Sequence, residues 1–251
     1  MNKTVLAIVA HPDDAEFLHA GTLTLLKQKG WKIEMATMTP GDGGSVEHSR
    51  SEISKIRKAE AATSAALLNA DYSCIESEDV FIFYDKPTII KTIALIRKTR
   101  PQIVLTMSPT CYMEDHMATA KIVQTACFAA GVKNIETEGI EPYFVIPHLY
   151  YGDAMEGKDL YGNPVNPSIV VDISTTIEMK EKMLKCHASQ REWLLKHHGI
   201  DEYILTMKRI SEQRGKDIEA AFGEGFRQHL GHAFPQDNIL KKELGNLVHN
   251  I

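Results

Sequence analysis

The chain has 251 residues, 43% of them hydrophobic and 24% charged, a net charge of −5 and four cysteines. These are globular proportions that exclude a disordered or collagen-like chain, and the length is that of one large domain or two small ones. No run of Lys and Arg interleaves with aromatics, so no nucleic-acid partner is expected.

Cys74, Cys111, Cys127 and Cys186 form no C-x-x-C pair and are read as reduced thiols. The opening segment MNKTVLAIVAHPDD is too short in apolar residues for a signal peptide, and no stretch approaches the ~18 apolar residues of a membrane span. The expectation is a cytoplasmic chain without membrane contact.

Residues 4–10 form a β-branched apolar run ended by His-Pro, the pattern of a strand buried on both faces. Residues 14–29 predict a helix closed by Gly30. A second strand is expected over 32–38, then the turn-rich 39–45. Residues 49–69 predict a long helix opened by Ser51 and Ser54, with Ile53, Ile56, Ala59, Ala62 and Ala66 at helical spacing. Residues 87–99 read as a helix with Pro87 in its first turn, 102–108 as a third buried strand and 116–130 as a helix. Beyond these, 143–151 and 168–173 read as strands, 175–198 as a strong helix and 207–222 as a weaker one, with a surface loop over 152–167 and a mixed tail from 223. No repeat and no low-complexity linker interrupts the chain, so 1–251 is taken as one domain. Alternating strands and helices predict a Rossmann-like α/β fold, a mostly parallel sheet with helices on both faces. Ligands in such sheets sit beyond the carboxyl ends of the strands, here at 11–16, 39–45 and 109–116.

Ala10-His11-Pro12-Asp13-Asp14-Ala15-Glu16 places an imidazole and two carboxylates at the end of the first strand. Borderline divalent metals accept that mixture of nitrogen and oxygen. His11 and Asp14 are three apart and can converge across one turn, while Asp13 projects differently, near an ion but free of it. A third ligand is expected from another strand end, where Asp115-His116 offers an imidazole and a carboxylate able to orient one.

The AHPDDAE segment resembles the signature of the PIG-L/LmbE family of metal-dependent N-acetylglucosaminyl deacetylases. The resemblance extends to Thr39-x-Gly41-Asp42, Arg57-x-x-Glu60, Asp115-His116 with Ala118-Thr119, and His187-x-Ser189-Gln190. The tail 226–238, FRQHLGHAFPQDN, is similar to one branch of the family. This resemblance implies a Rossmann-like fold, His11, Asp14 and His116 as ligands of Zn2+ or another divalent transition metal, and Asp13 as general base. The implied reaction is hydrolysis of an N-acyl group from an amino sugar or similar small amide by metal-activated water. Homo-oligomers occur in the family, while no interface is legible in these residues.

One departure stands out: many members carry His-x-Asp-His where this chain has Met113-Glu114-Asp115-His116, and an acidic residue where it has Cys111. Tyr112, His187 or the metal alone then covers the oxyanion role of the missing histidine. Met113 also motivates an alternative, a catalytically altered metal-containing sugar-binding protein of the same fold. A plain Rossmann-like nucleotide binder is a third reading.

Blander readings accompany several residues. Gly41-Asp42-Gly43-Gly44 is a mobile turn or a substrate loop, without phosphate-binding spacing. Arg57 and Glu60 make a solvated helical ion pair, or Arg57 contacts a sugar. His187 is a dipole-favoured cation at a helix end or an active-site group. His197-His198 is expected on the surface, His229 and His232 lack an evident ligand partner, and Trp31 and Trp193 are packing residues. The substrate-binding candidates are therefore Asp42, Arg57, His187 and Tyr112. No G-x-S-x-G elbow or P-loop is present.

Overall fold

The computed structural model describes residues 3–191 and 202–251. The first apolar run forms β1 (Thr4–Val9), in which every residue is buried. A strand so enclosed needs cover on both faces. The helices α1 (Asp14–Leu18), α2 (Ala20–Gln28), α3 (Arg50–Ala66) and α6 (Ile177–Leu184) pack with one another, and α4 (Lys86–Thr99) packs with α5 (Glu114–Ala129).

One sheet holds β1, β2 (Lys32–Thr37), β3 (Asp71–Cys74), β4 (Ile103–Thr106), β5 (His148–Gly152), β6 (Ile169–Asp172), β7 (Gly223–Gln228) and β8 (Val248–Asn250). Its order is β3-β2-β1-β4-β5-β7-β6-β8. The first five strands are parallel, with Val5 opposite both Ile33 and Ile103. β7 then runs antiparallel to β5 and β6, and β8 antiparallel to β6. The α/β, Rossmann-like expectation holds. The strand order reverses direction of growth between β1 and β4, and a crevice opens outside the carboxyl ends at such a point.

Several boundaries differ from the sequence reading. The helix expected over 14–29 is interrupted at His19, whose φ of −133° closes α1 and opens α2. Ser49, not Ser51, caps α3, through a reciprocal capping box with Glu52. β3 was not expected: DYSC is a short, half-buried edge strand with little apolar signal. Of 143–151 only the end is strand, because Pro147 precedes the ladder and cannot donate to it. α6 ends at Leu184, a turn over 185–187 breaks the helix expected over 175–198, helical residues resume at 188–191, and the remainder of that expectation, with Trp193 and His197-His198, lies outside the described residues. The weaker helix is α7 (Glu202–Lys216), earlier than 207–222. The mixed tail supplies two strands and the short α8 (Ile239–Leu244). Among the described residues no helix is long and apolar enough to cross a membrane.

Candidate metal centre and active site

The crevice beyond β1 and β4 holds a cavity of about 570 Å³. His11, Asp13 and Asp14 reach it from the turn between β1 and α1, Gly43 and Gly44 from the loop after β2, and Tyr112 to His116 from the end of the loop after β4 and the first turn of α5. All three loops expected to bear a ligand therefore meet there. Asp79 and Val80 after β3, Glu156 after β5, and Thr206 and Ile210 on α7 complete the walls.

His11, Asp14 and His116 bring one ligand atom each within 4.8 Å of the others. The Asp14 carboxylate stands between the rings, with Oδ2 3.3 Å from His11 Nδ1 and Oδ1 3.5 Å from His116 Nε2. The far sides of the rings are occupied. His11 Nε2 bonds Asp115 Oδ2 at 3.1 Å, and His116 Nδ1 meets Cys111 Sγ at 3.3 Å. His116 Nε2 is buried without any hydrogen-bond partner. A buried, unpaired nitrogen facing a carboxylate is costly in a protein interior unless a cation completes it. Two imidazoles and a carboxylate, each oriented from behind, fit a divalent transition metal.

Electrostatics agree. Burial opposes charge on His11, yet its bonds to Asp115 and Asp14 outweigh it and lift the imidazole to about 10. Burial likewise opposes ionisation of Asp14, but His116 and His11 hold its carboxyl well below the usual range. The pocket favours positive charge at this point.

Asp13 sits beside the cluster in a left-handed backbone conformation, φ 113°. A non-glycine residue there carries about 1–3 kcal/mol of strain and persists only when over-determined by its surroundings. Here the buried Arg57 donates to Pro12 O at 2.7 Å and to Asp13 Oδ2 at 3.3 Å, and Tyr203 Oη donates to the same oxygen at 2.6 Å. Burial pushes the Asp13 carboxyl up against the pull of Arg57, with Asp14 adding to the push.

Of the remaining candidates, Arg57 and Tyr112 line the cavity, while Asp42 and His187 do not. Arg57 is buried and makes no solvated pair with Glu60, which instead accepts from Ser189 N and Oγ. Asp42 does not line the cavity: its Oδ1 accepts from Asp79 N at 2.9 Å and its Oδ2 pairs with Arg50. It fastens the turn rather than facing a ligand. His187 is fully buried, with Nε2 3.3 Å from Glu16 Oε1, and does not line the cavity. Tyr112 lines the cavity and is half exposed.

Sequence reasoning missed Asp79 and Tyr203. The Asp79 carboxylate is held by Gly43 N at 2.8 Å, its Oδ1 is buried without a partner, and it faces the cavity. Neither residue stands in a motif, and both reach the site only through chain reversals.

Residues 6–127 match the family model described as GlcNAc-PI de-N-acetylase. The chain is 28% identical to a diacetylchitobiose deacetylase of Thermococcus kodakarensis over 198 residues, 75% of this chain and 70% of that protein. It is 22% identical to a 4-oxalmesaconate hydratase of Pseudomonas putida over 245 residues, 93% of this chain and 90% of that protein. In fold it resembles the N,N'-diacetylchitobiose deacetylase of Pyrococcus horikoshii, with a TM-score of 0.78 and 24% identity, covering 94% of this chain and 88% of that one. The AHPDDAE turn stands at the head of the matched region, the fold is shared across almost the whole chain, and together these likenesses support the PIG-L/LmbE-like deacetylase family.

Proposed function

We propose that this chain is a zinc-dependent N-deacetylase acting on an acetylated amino sugar or similar small amide, with His11, Asp14 and His116 as metal ligands and Asp13 as general base. The observation that carries the reading is a part-buried carboxylate, Asp13, held by Arg57 and Tyr203 beside a His-Asp-His cluster at the wall of one cavity. A bound divalent ion would supply Lewis acidity toward water and the amide oxygen.

Asp13 accepts a proton from the attacking water as the new C–O bond forms at the acyl carbon. It returns that proton to the nitrogen as the C–N bond breaks, because an amine leaves far more readily than an amide anion. The products are acetate and the free amine. Its raised pKa suits both halves of this exchange. Tyr112 is the side chain that takes over donation to the amide oxygen from the histidine replaced by Met113, since His187 is committed to Glu16. Arg57 holds Asp13, and Asp42 keeps the loop of Gly43 and Gly44 in place. All of 1–251 acts as one domain, supported by the single sheet that spans it, in the cytoplasm and without nucleic acid.

The wider coverage of the hydratase relative favours a second reading, hydration of an unsaturated polycarboxylate. The charge of the cavity speaks against it. Among the described lining residues, the carboxylates of Asp13, Asp14, Asp79, Glu114, Asp115 and Glu156 face one guanidinium, Arg57. Even with a divalent cation that lining repels a polyanion and suits a neutral amide that yields a cationic amine.

Elemental analysis combined with an amine-release screen over acetylated sugars tests the proposal. Wild type is expected to hold about one zinc per chain and release amine. Asp13→Ala keeps the metal and loses turnover, while His11→Ala and His116→Ala lose the metal. A metal-loaded wild type that releases no amine from any substrate rejects the deacetylase, and Met113 then favours a sugar-binding protein with altered catalysis.

A further inference from the structure

Asp13 Oδ2 accepts two hydrogen bonds from fixed, buried donors. Tyr203 Oη approaches at 2.6 Å from the first turn of α7, and Arg57 Nη2 at 3.3 Å from α3. Tyr203 is itself immobilised: it is 6% exposed, and the Phe17 ring packs edge-on against it with centroids 5.1 Å apart. Among the described residues the other oxygen, Oδ1, accepts no hydrogen bond and is not shut off from the cavity. A carboxylate with one oxygen doubly bound and the other free has its rotation about the Cβ–Cγ bond stopped, and only one oxygen remains for exchange with substrate or water.

We infer that Tyr203 is a positioning residue for the reaction: its hydroxyl, 190 positions along the chain from Asp13, locks Oδ2 so that Oδ1 is the oxygen that takes and returns the proton. This rests on the proposed function, in which Asp13 is the base. The Tyr203 hydroxyl touches neither substrate nor metal in this role, and it acts through the direction in which it holds Asp13. Arg57 alone cannot provide that lock. Its bond to Asp13 is the longer of the two, and the same Nη2 is shared with Pro12 O at 2.7 Å. Removing the phenol oxygen therefore lets the carboxylate turn while leaving its position in the backbone unchanged.

The test is steady-state deacetylation by zinc-loaded wild type, Tyr203→Phe, Asp13→Asn and the double variant, with N-acetylglucosamine and diacetylchitobiose as substrates. Metal content and Tm are measured on each. Tyr203→Phe is expected to keep its metal, its Tm within a few degrees and its KM within about twofold, while kcat falls roughly 10- to 100-fold, the scale of a misdirected catalytic group. In the Asp13→Asn background the same change is expected to cost nothing further, because a residue acting only through Asp13 has nothing left to orient. An unaltered kcat in Tyr203→Phe overturns the inference. So does a loss accompanied by lower metal content or Tm, which marks a structural role, and so does a further loss in the Asp13→Asn background. Asp13→Asn retaining wild-type kcat overturns the general base instead, and a metal-loaded wild type that releases no amine from these two or any other substrate of the screen overturns the deacetylase reading and this role together.

Discussion

Asp115 Oδ2 lies 3.1 Å from His11 Nε2 across 104 positions of sequence, and the same oxygen accepts Val80 N–H at 2.7 Å. The carboxylate adjacent to one imidazole thus orients the other, while His116 is backed by Cys111. A carboxylate fixed by a backbone donor holds its histidine in one orientation and makes the facing nitrogen a better ligand. Asp115→Ala is expected to weaken metal binding about 10- to 100-fold, read by competition against a chelator. Wild-type affinity in this variant would show that His11 needs no support.

The buried ion pair of Lys180 with Glu224, at 2.6 Å, ties the antiparallel half of the sheet to α6. Glu224 also accepts from Gly21 N at 2.9 Å and Thr22 N at 2.8 Å, supplying the α2 N-terminus with acceptors that the His19 side chain does not provide. Lys180→Met leaves a carboxylate buried without its cation and should lower the unfolding free energy by about 3–5 kcal/mol, measured by urea denaturation. Adding Glu224→Gln should recover part of the loss by removing the stranded charge. If the double variant is less stable than Lys180→Met, charge burial is not the source of the cost.

The parallel half of the fold was legible because β1, β2 and β4 are dense apolar runs ended by turn residues, and because AHPDD follows the first of them directly. From that placement the meeting of His11, Asp14 and His116 could be expected. β3 was not legible, since an edge strand of DYSC carries no alternation to read. The interruption at His19 carries neither Gly nor Pro, so periodicity alone ran through it. Tyr203 and Asp79 join the site through tertiary packing, which leaves no spacing signal, and Asp42 and His187 show the converse: motif residues that act from behind the cavity.

Gly41 has φ +75°, and a Cβ built there would stand 2.6 Å from Arg57 Cδ. Gly41→Ala therefore combines left-handed strain with displacement of the guanidinium that holds Pro12 O and Asp13. The expected result is a fall in kcat of roughly 100-fold with metal content unchanged, since the Arg57 hydrogen bonds go to Gly41, Pro12 and Asp13 and not to His11, Asp14 or His116 side chains. Assays of rate and metal content on the same preparation separate the two effects. A variant with near wild-type kcat would show that Arg57 can shift without disturbing Asp13.

His19 is fully buried against the Phe226 ring, and neither ring nitrogen has a hydrogen-bond partner. Burial pushes its imidazole down from 6.5 to about 4, with Glu224 pulling upward and Lys180 adding to the depression. Between these values the unfolded chain binds a proton that the folded chain refuses, so stability rises with pH across the window. The contribution is fully present above pH 6.5, is lost progressively as pH falls toward 4, and amounts to about 3 kcal/mol. His19→Met removes both the titration and the two unpaired nitrogens. Urea midpoints taken from pH 7 down to pH 4 should fall less steeply for His19→Met than for wild type. Parallel curves would show that His19 gains a partner or a water when acid is added and does not contribute to acid unfolding.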